Sequence, residues 1–218
     1  MARGAEARKP PAAPPDQPLW REKEMLSRAF AIAAIAGAAL LAAACVRSPA
    51  PVANVPIQES AAAQFKYAEN YRASLNLALT DAEKDRARFN RNREVIRQTY
   101  QKVEEYFPAD RVYTPLAILN VIEMDAGLDD VRVKVGADQL ERVMRQLDDL
   151  AAEYPEHEFI QAKTLYDKGL IQIMRENYAR AQEYFLELRD TYRESSNEAI
   201  RTLAQRAAYY YNRTYVNQ

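Results

Sequence analysis

Beyond residue 58, apolar positions recur three and four apart, the spacing that lines one face of an α-helix. Seven helices are predicted, over 58–79, 81–106, 114–126, 138–153, 157–175, 178–192 and 196–213. Residues that suit helix ends flank several of them. Thr114 before Pro115 sets a cap ahead of a proline in the first turn. Thr80 with Glu83, and Ser195 with Glu198, have capping-box spacing. Gly127 can close its helix in a left-handed conformation. An all-α fold follows for 58–218. The stretch 127–137 breaks the pattern: Val131, Val133 and Val135 alternate, as in a short strand or a segment lying on a groove.

Three of these helices share a register. Phe107, Tyr154 and Tyr192 are aromatic stops, the first two before a proline and the third before Arg193, at spacings of 47 and 38 residues. Both spacings accommodate a unit of about 34 residues with longer connections. Counting back 4, 7 and 11 positions gives Val103, Tyr100 and Ile96, then Leu150, Leu147 and Val143, then Leu188, Phe185 and Ala181. All nine are apolar, and all nine are predicted to face a core. In the third unit, Gly169, Tyr178, Ala181 and Phe185 resemble the tetratricopeptide signature, with Lys168 and Gln172 where that pattern favours Leu and Tyr. The resemblance implies a short α-solenoid of antiparallel helix pairs, in which a small Gly lets two helices approach. It also implies that the first helix of each pair lines a groove for partner segments. Lys163, Tyr166, Leu170 and Ile173 fall on that face, and Asn120 and Met124 are the counterparts in the preceding unit. The alternative is that these six side chains pack on neighbouring helices.

The first 57 residues have another character. Eight of the eleven prolines lie there, around an uncharged, alanine-rich run from Ala29 to Ala44. Arg21, Lys23 and Arg28 precede that run, and small residues end it at Cys45. A basic flank, an apolar stretch and small residues at the close make a secretory signal over 1–44. Sixteen helical residues reach only about 24 Å, short of the roughly 30 Å of a bilayer's hydrocarbon. Met25 would make a conventional start, which leaves 1–24 dispensable. Leu41-Ala-Ala-Ala-Cys45 resembles the bacterial lipobox. That resemblance implies diacylglycerol and an acyl chain on Cys45, enough lipid for stable anchorage. It also implies an outer-membrane, periplasm-facing location, since Val46 rather than Asp follows the Cys. Residues 45–57 then form a tether with a reach on the order of 40 Å when extended.

Composition narrows the chemistry. With 30 basic against 31 acidic residues there is no cationic excess to hold nucleic acid. Five Gly cannot supply phosphate-cradling loops, while one His and one Cys leave little for a metal or a catalytic base. His157 opens HEFIQ without the second His of a zinc-protease helix. Asp125, Asp129 and Asp130 form an acidic loop whose spacing matches no calcium loop. Neither catalysis, nor a cofactor, nor a small-molecule substrate is expected. Lys84, Arg86, Arg88, Arg91, Arg93 and Arg97 crowd one helix, a solvated face or a contact for anionic lipid. Three tyrosines in a row, 209–211, cannot all be buried on one stripe. Tyr209 and Tyr210 are therefore candidates for a partner contact at the end of the array. Within the tetratricopeptide lipoproteins, the build is similar to the component of the outer-membrane β-barrel assembly machinery, which implies partners among envelope proteins. Similar builds serve pili, secretins, motility machines and transporters.

Overall fold

A computed structural model describes residues 55–75 and 84–215. The chain divides after Ser48 into two units, and every described residue belongs to the second. The expected signal segment, Cys45, the tether up to residue 54 and the Thr80–Glu83 box lie outside the described residues.

Those residues form seven helices and no strand: α1 (Ala61–Leu75), α2 (Arg86–Tyr106), α3 (Tyr113–Ala126), α4 (Ala137–Glu153), α5 (Glu158–Met174), α6 (Tyr178–Tyr192) and α7 (Glu198–Tyr215). The chain is all-α, as the periodicity predicts. No described helix is long and apolar enough to cross a membrane.

Several caps fall a few residues from where sequence spacing puts them. Asp110, not Thr114, opens α3: its Oδ1 accepts the N–H of Tyr113 at 2.6 Å and of Val112 at 3.0 Å. The Thr114 hydroxyl instead donates to the Phe107 carbonyl at 2.7 Å, tying α3 to the end of α2. Asp85 caps α2 through the Arg88 N–H, and Asn197, rather than Ser195, takes the Ala199 N–H at the start of α7. In each case a short carboxylate or amide just ahead of the helix reaches the orphan N–H groups directly. Gly127 does close α3, at φ 70°.

Each helix packs on its successor, and α1, α3, α5 and α7 also touch one another in turn. These four make one layer, with α2, α4 and α6 each seated between two of them. Three apolar clusters result, built alike. Ile96, Tyr100 and Val103 of α2 meet Ala68 of α1 and Ala117 and Met124 of α3. Val143, Leu147 and Leu150 of α4 meet Leu119 and Ile122 of α3 and Ile160 of α5. Ala181, Phe185 and Leu188 of α6 meet Ala162 and Tyr166 of α5 and Ile200 and Leu203 of α7. All nine register positions are buried, none more than 3% exposed. Phe107 and Tyr154 cap the C-termini of α2 and α4, and Tyr192 is the last residue of α6. Because Ala181 has no exposure in this wedge, Ala181→Leu should cost about 1–3 kcal/mol, read as a lower urea midpoint. An unaltered midpoint would contradict the packing.

The stretch 127–137 is no strand. It turns back on the end of α3, where the Val133 and Val135 side chains close over Gly127, while Val131 is 97% exposed. The alternation of valines reflects a turn that half-buries two of the three.

Candidate functional site

The layer α1–α3–α5–α7 carries the open surface of interest. Between α1, α3 and α5 lies a cleft of about 400 Å³, walled by Phe65, Leu116, Leu119 and Phe159 and edged by Glu69, Asn120, Glu123 and Lys163. A second, of about 580 Å³, lies between α5 and α7 beside Thr202, Leu203 and Arg206. Phe159 borders both.

The residues predicted for a groove divide between surface and core. Asn120 and Lys163 line the first cleft together. Met124 does not join them. It is 1% exposed, in the core beside Ile96 and Tyr100. The α3 positions that reach the cleft are Leu116, Leu119, Asn120 and Glu123, spaced i, i+3, i+4, i+7, so Glu123 rather than Met124 accompanies Asn120 on the facing stripe. Tyr166 is 8% exposed and belongs to the core around Phe185, with Leu170 and Ile173 packed partly buried against it. For those three the packing alternative describes most of each side chain. Sequence reasoning missed Phe65, Glu69, Glu123 and Phe159. The available signal was that Asn120 and Glu123 are the only polar residues between Pro115 and Met124.

Lys163 organises the electrostatics. Its ammonium donates to Glu123 on α3 and, at 2.5 Å, to Asp167 one turn along α5, and it lies 5.6 Å from the centre of the Tyr166 ring. Asp167 is fully buried, and its second oxygen, Oδ2, has no hydrogen-bond partner. Burial pushes the Asp167 carboxyl up to about 7, against the pull of Lys163. Burial acts to lower the Lys163 ammonium, but the two carboxylates outweigh it and hold the group above its usual value. On the α1 side, Arg72 donates to Asn120 Oδ1 at 3.1 Å, and the buried Tyr100 hydroxyl donates to Glu69. Burial first, then that bond to a carboxylate, raises the Tyr100 phenol far above its ordinary range.

Other candidates resolve into structural roles. His157 caps α5, its Nδ1 accepting the Ile160 N–H at 3.4 Å. Asp125 pairs with Arg97 at 2.8 Å, Asp129 with Arg93 at 2.7 Å and Asp130 with Arg132 at 2.5 Å. The acidic loop is thus neutralised largely by the basic helix, which leaves Arg86, Arg88 and Arg91 as that helix's exposed arginines. Among the described residues no cluster of three His, Cys, Asp or Glu could hold a metal ion. On the terminal helix Tyr209 is 57% exposed and its hydroxyl accepts from Arg213 at 2.9 Å. Tyr210 folds inward instead, stacked on Phe185 with ring centres 5.5 Å apart.

No protein-family model, curated protein or solved structure matches this chain.

Proposed function

We propose that this chain is a lipid-anchored periplasmic scaffold, a short tetratricopeptide-like solenoid that binds envelope proteins through one layer of its helices. The observation that carries this reading is the continuity of α1, α3, α5 and α7, whose shared face holds two adjoining clefts bordered by Phe159. A face assembled from alternate helices is suited to receiving an extended segment of another protein. The repeated three-helix wedge around Ile96, Val143 and Ala181 supports the solenoid, and the small residues leading to Cys45 support the lipid anchor. In this reading the protein performs no catalysis and carries no cofactor beyond diacylglycerol and an acyl chain on Cys45. It is held at the outer membrane, facing the periplasm, and serves outer-membrane β-barrel assembly.

A second reading has one observation in its favour. Tyr209, exposed on the terminal helix, gives the array an aromatic end of the kind a structural accessory of a pilus, secretin or motility complex would dock. Purification of tagged protein from membranes, followed by mass spectrometry, separates the two. Recovery of barrel-assembly subunits supports the first; secretin, pilus or motor components support the second. Anchorage is tested independently. Cys45→Ser should move the protein from the membrane pellet to the soluble fraction, and continued pelleting would refute the lipid anchor.

A further inference from the structure

The cleft between α1, α3 and α5 has its cationic groups engaged and acceptor oxygens to spare. Lys163 is held by Glu123 and Asp167, and Arg72 is bonded to Asn120 at the cleft's edge. Glu123 uses only Oε1 towards Lys163, and Glu69 only Oε1 towards Tyr100. Glu69 has no other hydrogen bond among the described residues, and Glu123 has in addition only the Asp167 carboxyl beside it. At Lys163 an incoming carboxylate would have to break the two bridges, and Arg72 stands apart at the cleft's edge, whereas an incoming cation finds carboxylate oxygens on two adjacent helices. The walls between them, Phe65, Leu116 and Phe159, are apolar or aromatic and suit an aliphatic side chain or the stem of a Lys or Arg. The three helices that wall the cleft, at about 8–10 Å spacing, span about 16–20 Å, the length of roughly five or six extended residues. That length exceeds what a single small amine would cover.

We infer that this cleft receives an extended peptide segment in which basic residues alternate with large apolar ones, the basic groups meeting Glu69 and Glu123. This deepens the scaffold reading and rests on its assignment of the α1–α3–α5–α7 face as the binding surface.

The test uses two fluorescein-labelled nonapeptides, one alternating Leu with Arg and the other Leu with Glu, titrated with the full chain in detergent and read by anisotropy. The Leu–Arg peptide should bind, more weakly as salt rises. Glu69→Gln and Glu123→Gln should each weaken it about fivefold. Glu104→Gln makes the same charge change at an exposed position of α2 and should leave binding unchanged. Phe159→Ala should weaken binding without altering any charge. If Glu104→Gln acts like Glu123→Gln, attraction is to overall charge and the inference fails. It fails equally if spermine competes at concentrations matching the peptide's. Preferential binding of the Leu–Glu peptide, lost in Phe159→Ala, would overturn the cationic specificity yet leave the binding face standing. If no peptide binds in a way sensitive to Phe159, both the inference and the binding-face reading fall.

Discussion

Gly169→Ala should lower the melting temperature by about 6 °C, for a net loss of about 2 kcal/mol. A Cβ at Gly169 would sit 2.5 Å from Phe185 Cε1 and 2.6 Å from Cζ, closer than carbon atoms approach without displacement. The ring has nowhere easy to go. Phe185 is fully buried, stacked on Tyr210 and set edge-on to Tyr166 at 6.1 Å. Alanine's better helix propensity returns about 1 kcal/mol of a clash worth about 3, so the sign remains destabilising. Adding Phe185→Leu should rescue part of the loss, because the cavity made by one change accommodates the methyl of the other. A Gly169→Ala chain that melts with the parent would show that α5 and α6 do not approach here as described.

Lys163→Met should cost about 3 kcal/mol at pH 8 and much less at pH 5, measured as urea midpoints. The substitution keeps the aliphatic stem and removes the cation that faces Asp167, which is fully buried with one oxygen already unpartnered. The sign follows from linkage. The native Asp167 carboxyl lies above its unfolded value of 3.8, so the native state binds the extra proton between the two. The stability tied to that proton is fully present below about pH 4 and is lost as pH rises through about 7 in the parent chain. Without Lys163 the native carboxyl titrates higher still, and the loss extends further into the alkaline range. Asp167→Asn should flatten this part of the pH profile. Equal costs for Lys163→Met at pH 5 and pH 8 would show that Asp167 is not the group Lys163 compensates. The bridge also joins α5 to Glu123 on α3, so its removal loosens two helices that wall the cleft.

The departures at Lys168 and Gln172 show where a pattern reading stops. Both are buried, 7% and 5% exposed, where apolar residues would be the simple choice. Lys168 reaches Asp148 on α4, a residue that is largely in solvent, so the chain carries its charge outward along a buried stem. Gln172 leaves its Oε1 unsatisfied. Nothing in the sequence links position 168 to position 148, because the pairing depends on how far α4 and α5 are rotated against each other.

Among the described residues, periodicity alone was enough for the helices, their number and the nine core positions. Those depend on side chains three, four and seven residues apart, and a helix fixes such distances wherever it sits. Gly127 as a left-handed stop was legible from local chemistry, whereas Gly169 as a point of close approach was what the resemblance to the tetratricopeptide signature implied. The cleft was not. Whether Met124 or Glu123 faces outward depends on about 100° of rotation of α3, and packing against α2, α4 and α5 sets that rotation. Phe65, Glu69, Glu123 and Phe159 come from three separate helices and meet only once those helices are side by side. The same holds for the arginines of α2, which read as one basic face until Asp125 at the end of α3 and Asp129 in the loop after it claim two of them. Local spacing determined which residues are helical and which nine register positions are buried. The rotation and stacking of whole helices decided which charges face each other and which remain for a partner.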